Sequence, residues 1–389
     1  MDERYRERYG FLRLSTAGPV WFAEDACLIV RRPGMSCNLC KEACPTAALS
    51  GNQWSVALEA DGCIGCGLCS AACPTGALQV EGFAPAQRVT GENQDFVTLE
   101  CRRVPAARRD PRAVVVPCLG GLTVPDILDF SVKGAAAVAL QDHGWCEACP
   151  VGGCSRPWDV NLESAKSILD QIKPGLSTCL QVDTTQIPVE EAESIGGADL
   201  PSTQSNRRHF FRRLAGLVSP HDAKESKRIV FGRGAVNPIQ REQILATVRE
   251  IAEELDGTVP SSLMPAIEIG EACDLHGICA AICPTEALQK LTLDDGGMAI
   301  QFDAEKCISC GECQRVCPNK ALSLRGDGDG ELHRYPVTLM SRRTQICGGC
   351  GASFVPARDG QDELCTLCNR SIDLMRNMSD FLSGRHLTS

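Results

Sequence analysis

The chain is 389 residues long, 43% hydrophobic and only 5% aromatic, which suits several small domains with their own cores rather than one large one. With 49 acidic against 39 basic residues its formal net charge is -10, which argues against a nucleic-acid binder whose affinity rests on phosphate contacts. Twenty-five cysteines exceed what core packing uses, so they read as disulfides, metal ligands or a mixture, and compartment decides between these.

The chain opens with MDERYRERYG, charged throughout and without the apolar stretch of a secretory signal. The longest clean apolar runs, such as AAAVAL from Ala135 to Leu140, are too short to cross a bilayer. A cytoplasmic location with no transmembrane segment is therefore expected, and reduced, closely spaced cysteines read there as metal ligands.

Eight cysteines lie between Cys27 and Cys73. CIGCGLCSAACPTGAL, from Cys63 to Leu78, has the spacing C-x2-C-x2-C-x3-C-P, the run that binds iron-sulfur cubes. Short loops let three thiolates and several N–H groups converge on one face of a cube, and the proline turns the chain away. A less regular partner, CNLCKEACPTAAL from Cys37, precedes it.

Residues 96 to 180 read as strands ending in cysteines: FVTLECRRV, AVVVPCLGGL and GAAAVALQDHGWC, with the helical TVPDILDFSVKG between. The alternation predicts a small parallel α/β sheet. Ligands then gather at the carboxyl ends of its strands, where Cys101, Cys118, Cys146 and Cys149 converge with Cys154 as a spare. Cys179, at the end of the strand-like LSTCLQV, reads as core. A structural α/β domain with packed free thiols is the alternative.

The polar stretch DTTQIPVEEAESIGGADLPSTQSN has linker composition. RRHFFRRLAGLV follows, with Phe210, Phe211, Leu214, Leu217 and Val218 on one helical face behind Asn206 as cap. Arg207, Arg208, Arg212 and Arg213 face outward, as a solvated surface or as a dock for an acidic partner or peripheral membrane contact. RRVPAARRDPR, from Arg102 to Arg112, is a second docking candidate. PIQREQILATVREIAEELDG, from Pro238 to Gly257, predicts a further helix that packs on a neighbouring module. FGRGAV near Gly232 lacks the third glycine and the acidic residue of a dinucleotide fingerprint.

The iron-sulfur spacing returns as CISCGECQRVCPNKAL, from Cys307 to Leu322, preceded by CDLHGICAAICPTEAL from Cys273. The chain thus repeats a two-part module. In the second copy His276 stands where a cysteine is expected. Farther on, Cys347, Cys350, Cys365 and Cys368 form C-x2-C-x14-C-x2-C, two knuckles able to close a tetrahedral site. Zinc is the expected ion, with a rubredoxin-like iron as the alternative.

These runs resemble the dicluster bacterial ferredoxin family over roughly residues 27 to 80 and 265 to 325, under a third of the chain. The resemblance implies crossed ligation. Cys44, Cys63, Cys66 and Cys69 would hold one [4Fe-4S] cluster, and Cys283, Cys307, Cys310 and Cys313 another. At the first partner site Cys37, Cys40 and Cys73 are in register, but Gly34 takes the first ligand position and Cys27 is the natural substitute. Otherwise Cys27 is a buried thiol, and the site holds a three-iron cluster or nothing. At the second, Cys273, Cys279 and Cys317 leave three outcomes: a [3Fe-4S] cluster, a [4Fe-4S] cluster ligated by His276, or an empty site. Either cluster would sit at a higher potential than its neighbour.

The middle segment is similar to the delta subunit of methyl-viologen-reducing hydrogenase, an iron-sulfur domain that passes electrons to heterodisulfide reductase. The likeness rests on VPCLGGL, the GA-x3-AL strand and WCEACPVGGC. Their spacing is not identical, which leaves the cluster type open.

The fold class expected is α+β and multidomain: two ferredoxin-like dicluster modules, a small α/β middle domain and a zinc-ribbon hairpin. The expected segments are 1–88 and 261–330 for the modules, 89–185 for the middle domain, 186–260 for linker and helices, 331–375 for the ribbon and 376–389 for a tail. No catalytic constellation is visible. The expected role is a non-catalytic electron-transfer subunit with up to five clusters, at least two of them [4Fe-4S], in a hetero-oligomer with a hydrogenase or a molybdenum or tungsten oxidoreductase. The alternatives are a redox sensor or maturation factor, and an enzyme whose middle cluster is catalytic.

Overall fold

The computed structural model describes residues 3–15, 18–32, 35, 37–52, 55–83, 96–132, 137–146, 149, 151, 156–184, 234–325, 336–356 and 363–382. The expected linker, the Arg207 to Arg213 helix, Gly34 and Cys154 lie outside these residues. The chain divides into two compact units, Met1–Pro260 and Ser261–Ser389. Helices and sheets are mixed in both. Among the described residues no helix is long and apolar enough to cross a membrane.

The first unit opens with helix α1 (Glu3–Tyr9) and strands β1 (Leu12–Arg13) and β2 (Val20–Phe22), then α2 (Leu28–Arg31) and α3 (Leu39–Glu42). The hairpin β3 (Leu49–Ser50) and β4 (Ala57–Leu58), helix α4 (Leu68–Ala71) and strand β5 (Leu78–Val80) follow. β5 returns antiparallel to β2, pairing Val20 with Val80 and Phe22 with Leu78. These elements are short for a local reason. Helix α3 starts two residues after Cys37 and α4 two after Cys66, and both stop before a Cys-Pro, because proline disfavours helix at the residue before it. The residue two past that proline is left-handed in both repeats, Ala47 at φ 52° and Gly76 at φ 73°, and bends the chain toward β3 and β5.

The middle of this unit is a four-stranded, wholly parallel sheet in the order β7 (Val114–Val116), β6 (Phe96–Cys101), β8 (Ala137–Gln141), β9 (Leu180–Asp183). Helices α5 (Val124–Val132) and α6 (Asp159–Ile172) connect its later strands. Helix α7 (Ile239–Glu254) packs on α5 and α6 and buries Ile239, Leu245, Val248 and Ile251. The stretch after the linker is therefore part of this core. Thr123 and Asp126 cap α5 reciprocally: the Thr123 N–H donates to Asp126 Oδ2 at 2.9 Å, and the Asp126 N–H donates to Thr123 Oγ1 at 3.3 Å. Cys179 sits in the 3-10 turn Leu176–Cys179 that leads into β9, not at a strand end.

The second unit runs β10 (Ala266–Ile269), α8 (Ile278–Ile282), β11 (Leu288–Thr292), β12 (Met298–Phe302), α9 (Glu312–Arg315), β13 (Leu322–Arg325), β14 (Val337–Arg342), β15 (Gln345–Ile346), β16 (Ser353–Phe354) and α10 (Thr366–Leu382). β10 pairs antiparallel with β13, and β12 lies between β11 and β14. Ile267, Leu275, Leu288, Ile300, Phe302 and Leu322 form the core, with Cys279, Cys283 and Cys313 among them. The left-handed residue recurs at Glu286 and Lys320, φ 56° and 50°. Helix α10 continues past 375, where a tail was expected, because Leu367, Leu374, Met375 and Met378 repeat at helical spacing on a long polar-faced segment.

Candidate metal centres

Each regular run builds a sulfur-lined cavity. In the first unit about 330 Å³ of free space, mouth included, is lined by Cys44, Cys63, Cys66 and Cys69 against Leu49 and Val80. In the second, about 320 Å³ is lined by Cys283, Cys307, Cys310 and Cys313 against Ile267 and Phe302. Three sulfurs in each come from one loop, shaped by left-handed residues at Gly65 and Gly67 or at Ser309 and Gly311. The fourth enters from the preceding motif.

The electrostatics suit a cationic guest. Burial pushes the Cys69 and Cys66 thiols up, with Cys44 and Cys63 nearby adding to the rise. Burial lifts Cys313 to about 12, helped by Cys307, Cys310 and Cys283. Several thiolates in one apolar pocket repel one another, so they deprotonate together only around bound cations. The sequence reading missed the threonines of the CPT triplets, whose hydroxyls lie against the preceding sulfur: Thr46 on Cys44 at 3.7 Å, Thr75 on Cys73 at 3.6 Å and Thr285 on Cys283 at 3.9 Å. Backbone N–H groups also reach these sulfurs, Ala77 to Cys73 at 3.3 Å, Leu288 to Cys283 at 3.5 Å and Ala321 to Cys317 at 3.3 Å. The left-handed residue just upstream aims them, a repeat visible only as a fixed offset from Cys-Pro.

At the first partner site Cys27 caps α2. Burial pushes its thiol up to about 12; the Val30 N–H opposes this, and Cys73 and Cys40 add to it. Burial lifts Cys40 to about 11, with Cys73 and Cys37 contributing, and lifts Cys37 with Cys73 contributing. Cys27, Cys37 and Cys40 thus each lie near Cys73.

At the second, Cys273, His276, Cys279 and Cys317 line about 320 Å³ of free space, mouth included, with Leu275 and Ile300. The Ile278 N–H donates to His276 Nδ1 at 3.0 Å, and His276 Nε2 lies 3.5 Å from Asp274 Oδ1. Both ring nitrogens have polar neighbours. The Leu275 N–H donates to Cys273 Sγ at 3.4 Å, and Arg342 from β14 donates to the Cys273 carbonyl at 2.6 Å.

In the middle sheet Cys101 ends β6, Cys118 follows β7, and Cys146 and Cys149 follow β8, all at the carboxyl edge. Burial raises Cys101, with Cys149 adding. Burial also raises Cys118, with Cys101, Cys66 and Cys149 adding. Cys146 is pushed up to about 11 by burial, then by Asp142, Cys101 and Cys149. Arg103 Nη1 donates to Cys149 Sγ at 3.2 Å. The buried Trp158 indole Nε1 has no partner within hydrogen-bonding distance, yet sits near enough to Cys146 to favour its thiolate. The Arg103 guanidinium and the Trp158 indole thus place hydrogen-bond donors beside Cys149 and Cys146. The sequence reading gave Arg103 only as part of a docking candidate, Arg102 to Arg112, and did not name Trp158.

The knuckle site has another scale. The sulfurs of Cys347, Cys350, Cys365 and Cys368 all lie within 4.8 Å of one another, and Cys350 Sγ is 3.8 Å from Cys365 Sγ. A tetrahedron of thiolates about 2.3 Å from one ion has edges of about 3.8 Å, so the set fits a single ion. The Cys365 N–H, 3.2 Å from Cys347 Sγ, and the N–H groups of Cys350 and Gly349 pull the Cys347 thiol down to about 6. Cys368, hydrogen-bonded to Cys365, Cys350 and Cys347, is pushed up to about 12. Cys347 therefore ionises before Cys368.

Two stretches, residues 34–77 and 271–321, match the family model of the 4Fe-4S dicluster domain. The second spans Cys273 to Cys317; the first starts beyond Cys27. No curated protein matches the chain. The chain carries two iron-sulfur dicluster domains, which indicates iron-sulfur electron transfer.

Proposed function

We propose that the protein is a multi-cluster electron-transfer subunit that relays single electrons between partner oxidoreductases. The observation that carries this reading is the repetition, in both units, of a cavity lined by four sulfurs from two loops. Cys44, Cys63, Cys66 and Cys69 would hold one [4Fe-4S] cluster and Cys283, Cys307, Cys310 and Cys313 a second. Cys27, Cys37, Cys40 and Cys73 would hold a third, and Cys101, Cys118, Cys146 and Cys149 a further cluster. Bound clusters supply one-electron chemistry; the chain supplies sulfur ligands, apolar walls and N–H groups that set their potentials.

At the His276 site the three sulfurs favour a [3Fe-4S] cluster, since Nδ1 already accepts the Ile278 N–H and Nε2 faces Asp274. Zinc at the knuckles would be structural, because a hairpin of two-residue strands has too little core to stand alone. Partners in a hetero-oligomer would be a hydrogenase or a molybdenum or tungsten oxidoreductase.

Anaerobic iron, sulfide and zinc analysis with redox-poised EPR tests this. At least two [4Fe-4S] signals per loaded chain are expected, and fewer would sink the reading. His276→Cys should turn the three-iron signal into that of a [4Fe-4S] cluster at lower potential. An unchanged titration would show that position 276 does not face the metal.

A further inference from the structure

In the first unit two glycines stand where two cysteine-bearing loops meet. The 3-10 turn Leu119–Gly121, which follows Cys118, lies on the loop that carries Cys63, Cys66 and Cys69. A Cβ at Gly121 would overlap the Cys66 carbonyl oxygen and the Phe83 ring. One at Gly67 would overlap the same ring and stand 3.0 Å from Gly121 Cα. Gly67 also has φ 84°, a left-handed conformation that other residues resist. The two ligand loops therefore meet at Gly67 and Gly121, with the Phe83 ring packed against both glycines.

Arg102 closes the same seam from the end of β6. It follows Cys101, and its guanidinium donates to the Ile64 carbonyl, inside the Cys63 to Cys66 loop. Gly121, three residues past Cys118, lies against the Cys66 carbonyl. Helix α3, which carries Cys40, packs on α4, which carries Cys69. The Cys44, Cys63, Cys66 and Cys69 set thus adjoins both of the others.

We propose that Gly67, Gly121 and Arg102 are positioning residues that hold the middle four-cysteine site directly against the Cys44, Cys63, Cys66 and Cys69 site, making the first unit a path of three centres that crosses between the loops of Cys66 and Cys118. The proposal rests on the reading that these cysteines hold clusters. At the crossing one electron leaves one centre and enters the next; the first is oxidised and the second reduced by one, and no bond forms or breaks. The reductant and oxidant at the two ends are the partner oxidoreductases.

The test uses the full chain, reconstituted anaerobically and fully reduced. Magnetic coupling between clusters is read as line broadening and enhanced spin relaxation in EPR, with iron and sulfide per chain measured on the same samples. Gly121→Val should abolish the coupling assigned to the middle site while iron stays constant. Because that variant risks misfolding, Arg102→Gln is run beside it; it removes only a side-chain clamp and should weaken the coupling severalfold. Cys101→Ser identifies the middle cluster by the signal it removes. If Cys101→Ser removes iron but the wild type shows no coupling at the middle site, or if both seam variants keep full coupling, the seam is overturned while the functional reading stands. If Cys101→Ser and Cys146→Ser leave iron and sulfide unchanged, the middle site holds no cluster, and both the seam and that part of the functional reading fall.

Discussion

The two regular cysteine loops share a backbone and differ in company. Gly65 and Ser309 have φ 61° and 54°, Gly67 and Gly311 have φ 84° and 73°, and each loop leads into a one-turn helix, α4 or α9. In the first unit Gly67 is pressed under Phe83 and against Gly121. In the second, a Cβ on Gly311 would meet nothing within 4 Å among the described residues. Local spacing therefore accounts for the loop, and only tertiary packing distinguishes a loop with a second sulfur site at its back from one that stands open. The irregular halves differ in the same manner. Cys27 reaches the first from a separate helix cap, whereas His276 sits within the second motif itself.

The largest effect that would break the comparison comes from the crossing cysteines. Cys44→Ser and Cys283→Ser should each cost about four irons per chain from the regular site, although both residues lie in the irregular motif. Metal analysis paired with EPR would detect it, and loss from the irregular site instead would show that ligation is not crossed. The next effect separates the glycines. Gly311→Ala should cost about 1–2 kcal/mol from left-handed strain alone, while Gly67→Ala adds about 1–3 kcal/mol of overpacking against Phe83. Anaerobic denaturant melts of the loaded proteins would rank them, and equal losses would show the seam to be slack.

The smallest effect concerns the turn after Cys-Pro. Lys320→Gly should be neutral or stabilising by up to about 1 kcal/mol, since strain relief slightly exceeds the entropy cost. Gly76→Ala should destabilise by about 1–3 kcal/mol, because its Cβ would lie 2.9 Å from the Gln240 backbone nitrogen at the start of α7. Thermal melts of both under identical loading would reveal opposite signs.

Much of the local architecture was legible. Alternation of apolar strands and a helix already implied the parallel sheet, and the ends of FVTLEC and VVVPC placed Cys101 and Cys118 at its carboxyl edge. Three of the four sulfurs in each regular cavity follow from spacing within one loop, while the fourth followed only from likeness to known modules. The long helix α10 and the role of α7 as part of the sheet's core were not read, because an amphipathic period tells which face is apolar but not what covers it. Arg103, Trp158 and the CPT threonines carry no spacing signal that separates them from ordinary loop residues.

By itself the sequence determined two dicluster modules and a single-ion knuckle set, because short loops between cysteines leave little freedom in where their sulfurs can go. Tertiary structure alone decided that Cys27 joins Cys73, that His276 has its ring nitrogens engaged, and that Gly121 lies on Gly67. Those contacts join residues distant in the chain or depend on side-chain rotamers, and they exist only where the surrounding packing closes on them.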